Sequence, residues 1–261
     1  MIATKNTTQV DAKALEQKVK MMYTDVAERP KEPYHFEMGR QLAERLGYPA
    51  SKLNKIPAEA IESFAGVGHF FDLSHIKPGD HVVDLGSGSG LDAFYAAQLV
   101  GLSGKVIGID MTPAQIEKAN RLKTKNGFAQ VQFVESYIEQ IPLPDASAHT
   151  VISNGVVNLS SDKEAVFKEA ARVLKPGGRL VLADIVSNQT LPESITCNAS
   201  LWAACIGGAM QIDAYIKLIE SAGLTVIATV TNPYQFISNS AQSATRDYGI
   251  KSISLMAVKA S

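Results

Sequence analysis

Three glycines on alternate positions and two acids carry the most specific chemistry in this chain. Residues 82–90 read Val-Val-Asp-Leu-Gly-Ser-Gly-Ser-Gly, an apolar strand that ends in Asp84 and runs into Gly86, Ser87, Gly88 and Gly90, and Asp110 closes the next strand. Glycines at this spacing let the backbone turn tightly and lie against a ligand that a Cβ would block, which makes the loop a nucleotide shelf. A pyrophosphate loop of the G-x-G-x-x-G kind needs Gly or Ala at its third marked position, and Leu91 stands there. Asp84 points the same way, because a carboxylate two residues before the loop repels phosphates and pairs with an ammonium. Asp110 is placed to accept both ribose hydroxyls, a feature that nicotinamide enzymes share. The pattern predicts a pocket for S-adenosylmethionine (SAM). A plain glycine turn at a strand-helix junction is the structural alternative.

Other residues fall around this pocket. Thr112-Pro113 opens a helix as N-cap and first-turn proline, with Met111 either over an adenine or in the core, and Gln115 counted with the cofactor residues. Ser136, Tyr137 and Ile138 follow the third strand at the carboxyl edge of the sheet and are candidates for adenine contact. Asn154 and Asn158 bracket the turn after the fourth strand; Asn154 is read as facing the cofactor or the methyl acceptor, or as bonding its own backbone. Methyl transfer from a sulfonium is an in-line displacement that needs alignment and water exclusion more than a base. A hydroxyl or ammonium acceptor has a proton to lose, and His35 and His69 are the candidate bases. His75, His81 and His149 sit at strand starts and read as structural. His69, His75 and His81 recur at a spacing of six, which matches no metal motif, and Cys197 and Cys205 form neither a disulfide framework nor a paired-thiol site. No metal is expected.

The elements that must position these groups alternate from residue 81 onward. Strands are predicted over 81–85, 105–110, 131–135, 150–153, 179–185, 225–230 and 253–258, and helices over 92–100, 113–126, 162–174 and 212–222. This gives an α/β fold with a mostly parallel, seven-stranded sheet flanked by helices, its last two strands pairing antiparallel at an edge. Val-Leu-Lys-Pro-Gly-Gly at residues 173–178 reads as a helix end and a turn before a buried strand. Residues 1–75 lie outside the alternation and read as an N-terminal helical cap, and 76–261 as the cofactor-binding domain. Leu15, Val19, Met22, Tyr23 and Val26 share one helical stripe, and Pro33-Tyr34-His35-Phe36 forms an aromatic cluster beside it. Tyr23, Tyr34 and His35 are therefore candidate substrate contacts.

The 261 residues are 46% hydrophobic and 20% charged with a formal net charge of −1, which gives no electrostatic footprint for nucleic acid or an anionic membrane. No apolar run of about eighteen residues and no signal-peptide core is seen, so a cytoplasmic protein acting on a small molecule is expected. Nothing in the charge pattern specifies an oligomer.

From about residue 60 to 225 the chain resembles the arsenite SAM methyltransferases. The likeness runs through Phe64-Ala65-Gly66-Val67-Gly68, the 84–90 loop, Gly108-Ile109-Asp110-Met111-Thr112, Ser153-Asn154-Gly155-Val156-Val157-Asn158-Leu159, Asp162-Lys163 and Trp202-Ala203-Ala204-Cys205-Ile206-Gly207-Gly208-Ala209. The resemblance implies a Rossmann-like class I methyltransferase fold, SAM as methyl donor, and a substrate region near His69. It also implies cysteines at positions that Val67, Ala93 and Gly155 occupy here. Only Cys205 stands at a matching place, and one thiolate does not build a three-sulfur cage around arsenic. The expectation is a SAM-dependent methyltransferase of a small acceptor, with a substrate contact at Cys205. A non-catalytic SAM-binding protein and residual arsenite methylation are the alternatives, and a nicotinamide oxidoreductase is disfavoured by Asp84 and Leu91.

Overall fold

The computed structural model describes residues 12–196 and 206–261. Its eight strands are β1 (His81–Leu85), β2 (Lys105–Asp110), β3 (Val131–Glu135), β4 (Ala148–Asn154), β5 (Leu174–Ser187), β6 (Met210–Gln211), β7 (Leu224–Thr231) and β8 (Lys251–Lys259). They form one sheet in the order β3-β2-β1-β4-β5-β8-β7, and the two-residue β6 pairs with β5 beside that path. Neighbours from β3 to β5 run parallel, whereas β8 lies antiparallel between β5 and β7. The last two strands pair as expected, but β7 takes the edge and β8 is enclosed. The chain winds outward from β1 to β3 and then returns to β4, so the order reverses between β1 and β4, where an open α/β sheet leaves a crevice at its carboxyl ends.

Side chains alternate across β1: Val82 packs into one core cluster and Val83 and Leu85 into the other. The first face is covered by the helices Leu91–Val100 and Pro113–Asn126 and by residues Leu42 to Phe71, all contributing to a single cluster. The Leu91–Val100 helix is buried on nearly every side because this N-terminal layer covers the side that a surface helix would turn to water. The opposite face is covered by Lys163–Val173 and Ile212–Ser221, with Phe167 and Tyr215 edge to face at 5.3 Å. The helix Ala12–Glu28 packs on the outer side of the Pro113–Asn126 helix. Its Leu15 and Val19 form a small third cluster with Tyr23, Met111 and Leu159, over the carboxyl ends of the strands.

Two of the sequence expectations are corrected here. The residues read as a turn before the fifth strand belong to β5 itself, whose pairing with β4 shifts register between Ala148 and Thr150. β6 was not anticipated, because two residues offer no hydrophobic period. None of the described helices is long and apolar enough to cross a membrane.

Candidate active site

The loop after β1 is held by the end of β2. The backbone N–H groups of Gly86 and Ser87 both donate to the Ile109 carbonyl, at 2.8 and 2.9 Å. The Gly88 N–H donates to Asp110 Oδ2 at 2.9 Å, and the Thr112 N–H donates to Asp110 Oδ1 at 2.8 Å. Gly86 and Gly90 have positive φ of 71° and 98°. A Cβ at Gly86 would stand 2.3 Å from a Val156 methyl carbon, and one at Gly90 2.6 Å from the Phe133 ring. Protein packing, not a ligand, demands those two glycines. At Gly88 the nearest neighbour of a Cβ would be Gln115 Oε1, at 3.8 Å, and Gly88 is the loop glycine at the cavity with room beside it.

Above the loop lies a cavity of about 220 Å³. Asp84, Gly86, Ser87, Gly88, Asp110, Met111, Thr112, Gln115, Tyr137, Ile138 and Asn154 line it from the sheet, and Leu15, Val19 and Tyr23 close it from the N-terminal helix. Gln115 ties the two sides together: its Oε1 accepts from the Ser89 hydroxyl at 2.5 Å and its Nε2 donates to the Tyr23 carbonyl at 2.8 Å. At the rim, the Tyr137 hydroxyl donates to Glu16 Oε1 at 2.6 Å and accepts from Lys20 Nζ at 2.6 Å. Lys20 also lies 4.6 Å from the centroid of the Tyr137 ring.

Several expected residues stand elsewhere. Gly90 and Ser136 do not line the cavity; the Ser136 hydroxyl donates to the Gln140 carbonyl at 3.0 Å. The Tyr34 hydroxyl donates to the Arg29 carbonyl at 3.1 Å, and His35 is exposed, edge-on to Phe36 at 4.8 Å. His69 is turned into an aromatic cluster, 4.7 Å from Tyr48 and 5.9 Å from Tyr95, and burial lowers its pKa. Among the described residues no histidine lines the cavity, so the geometry brings neither candidate base to it. Cys205 lies outside the described residues.

Asn154 does not bond its own turn. Its Oδ1 accepts from the Val67 N–H at 2.8 Å and the Gly68 N–H at 3.3 Å. Its Nδ2 lies 2.9 Å from the Gly68 carbonyl, 2.9 Å from Asp92 Oδ2 and 3.1 Å from the Tyr48 hydroxyl. The amide therefore pins the 66–68 loop onto the tip of β4. From the other side the Ser252 hydroxyl of β8 donates to the Val67 carbonyl at 2.6 Å, which explains a serine in an enclosed strand. Gly155 and Val67 meet at this point, where a Cβ on residue 155 would stand 3.2 Å from Val67 Cγ1.

Asp92 lines the cavity with Tyr48 bonded behind it, and neither was read as a site residue in the sequence. Asp92 reads in sequence as an ordinary acid in the first turn of a helix. In the fold it is only 5% exposed, and its Oδ1 accepts from the Tyr48 hydroxyl at 2.5 Å. Burial pushes its carboxyl up to about 6, against the Tyr48 and Asn154 hydrogen bonds that pull it down. Asp84 is 2% exposed, and its Oδ2 has no hydrogen-bond partner. Burial, with Asp92 and Asp110 nearby, raises it well above the usual carboxylate range. Burial also raises Asp110, opposed by the Thr112 and Gly88 N–H groups. Glu16 and Glu139 line the same cavity, and Lys13 is the one basic side chain among the described lining residues. Such a wall repels a pyrophosphate and favours a cation. SAM, a cationic nucleoside, suits such a lining of carboxylates and apolar side chains.

A doubly wound sheet with an antiparallel strand enclosed near one edge, carrying an acid-lined nucleoside cavity at its switch point, defines the class I SAM-dependent methyltransferases. The chain belongs to the methyltransferase-domain family, which matches residues 76–223. It is 38% identical over 209 residues to the arsenite methyltransferase of Halobacterium salinarum, an overlap of 79% of this chain and 53% of that protein. It is 36% identical over 113 residues to the ubiquinone/menaquinone biosynthesis C-methyltransferase UbiE of Francisella tularensis, 42% of this chain and 45% of that one. Among solved structures, the arsenic(III) S-adenosylmethionine methyltransferase CrArsM of Chlamydomonas reinhardtii superposes with a TM-score of 0.69 at 33% identity, covering 81% of this chain and 72% of that one. The chain spans about half the length of the curated relatives it matches.

Proposed function

We propose that the protein transfers the methyl group of SAM to a small organic acceptor other than arsenite. The observation that carries the methyl-donor half is the unpartnered, buried Asp84 Oδ2 at the end of β1, beside Asp92 and Asp110 and lining the same cavity. Bound SAM supplies an electrophilic methyl on a sulfonium. The chain's task is to hold the acceptor in line and to keep water out. The helix Ala12–Glu28 serves the second need by closing the cavity with Leu15, Val19 and Tyr23, so that the N-terminal residues act as a cover. Where the acceptor carries a proton, the lining carboxylates take the place of the absent histidines; Glu139, which accepts from the Ser160 hydroxyl, is the candidate.

The acceptor half rests on Val67 and Gly155. The relatives named for arsenite methylation suggest arsenite here too, and the resemblance implies cysteines at both positions. In this fold the two positions touch, and they offer a valine methyl and a hydrogen in place of two thiols. Soft trivalent arsenic loses most of its affinity with its thiolates. Incubation with methyl-labelled SAM, run in parallel with arsenite plus a thiol reductant and with a metabolite extract, tests the proposal. Label in an organic product and not in arsenic is expected. Methylated arsenic would overturn the acceptor reading, and label in neither would favour a protein that binds SAM without turnover.

A further inference from the structure

Asp84 and Asp92 sit at the floor of the cavity as a pair of carboxylates on adjoining elements, the end of β1 and the first turn of the next helix. Both are almost fully buried. None of the ion pairs among the described residues includes either of them. The groups that face them are acids, phenols and an amide: Asp110 from β2, Tyr48 from the N-terminal layer, Tyr95 from the next turn of the same helix, and Asn154 from β4. His69 lies behind Tyr48. Donors are divided unevenly, since Asp92 receives both Tyr48 and Asn154, while Asp84 keeps one oxygen without a donor. Two buried like charges with no cation do not both ionise readily, so the pair favours a protonated form.

We propose that the buried Asp84 and Asp92 pair retains a proton in the cofactor-free protein, and that binding of the positively charged cofactor expels it to solvent. This rests on the cofactor reading above. No covalent bond changes; the cation replaces the proton as the charge that balances the pair. Asp92 is in this sense a positioning residue, because its ionised form is the one that Tyr48 and Asn154 are arranged to hold, and Asn154 in turn holds the 66–68 loop. Burial puts the Asp92 step at about 6, so affinity for SAM strengthens as pH rises through that value, and the raised Asp84 extends the dependence upward. Below it, the proton must leave before the cation can bind, which weakens binding by about tenfold per pH unit.

Calorimetric titration of the intact protein with SAM, in buffers of low and high ionisation enthalpy across pH 5 to 8, counts the protons directly. Proton release on SAM binding that is greatest in the acidic half of that range and decreases as pH rises through the Asp92 step is expected. S-Adenosylhomocysteine, which lacks the sulfonium charge, releases fewer. Asp92→Asn diminishes the release by removing the step near 6. Tyr48→Phe removes a hydrogen bond that lowers Asp92 and shifts the release to higher pH, and it keeps the test open should Asp92→Asn fold poorly. SAM binding without proton release at any pH, or undiminished release in a folded Asp92→Asn protein, overturns the proposal. Failure of SAM to bind at all overturns the cofactor reading and the linkage with it.

Discussion

Both carboxylate oxygens of Asp110 already accept backbone N–H groups, and this fixes the carboxylate plane before a ribose arrives. Asp110→Asn keeps one acceptor and loses the charge. Charge-assisted hydrogen bonds are worth about 1.5–3 kcal/mol, so SAM affinity should fall roughly ten- to a hundredfold in a calorimetric titration, with the fold intact. Val67 and Gly155 predict a gain instead. The double variant Val67→Cys/Gly155→Cys should retain arsenite through gel filtration when the parent does not, because the two side chains would meet at one point. The positions of Asp84 and Asp110 at the ends of their strands, lining the cavity, were legible in the sequence because a short motif with a physical reason fixes their places. His69 was not. Its neighbours Gly66 and Asn154 line the cavity, yet its own ring turns away into the aromatic cluster, and nothing in the residue order gives that rotation. Asp92 and Tyr48 are 44 positions apart, and only tertiary packing joins them.

At the scale of elements, β1, β2 and β3 begin and end where their apolar runs do, whereas β4, β5, β7 and β8 extend past the predicted bounds. Those ends are set by partners: β8 gains residues because it pairs on both sides, and a propensity reading does not see pairing. The helix over residues 12–28 was legible as a stripe, but its seat was not. Part of its polar fastening is the Glu16, Lys20 and Tyr137 group at the rim. Exposed pairs of this kind contribute about 0.2–1 kcal/mol, so Lys20→Ala/Tyr137→Phe should speed SAM dissociation by up to about fivefold in stopped-flow displacement. An unchanged rate would mean that Leu15, Val19 and the bonds from Gln115, Lys118 and Ser63 to the helix carbonyls keep it seated.

For the whole molecule the buried acids set the pH response. Asp92 and Asp184 titrate at about 6 in the fold, raised from 3.8, chiefly by burial. A raised carboxylate means that the folded state binds more protons than the unfolded one between those values, so stability falls as pH rises through that window. The cofactor-free protein should therefore melt several degrees higher near pH 5 than near pH 7.5, and saturating SAM should narrow the gap by balancing Asp84 and Asp92. A melting temperature that rises steadily with pH would contradict this. The sheet, the switch point and the methyl donor were thus open to reading from residues 81–185, while the acceptor depends on how distant loops meet over the cavity. Titration of the protein with SAM and, separately, with NADH tests most directly that an acid-lined cavity at this switch point selects a cationic nucleoside. Stoichiometric SAM binding with no NADH binding is expected, and NADH binding in place of SAM would contradict it.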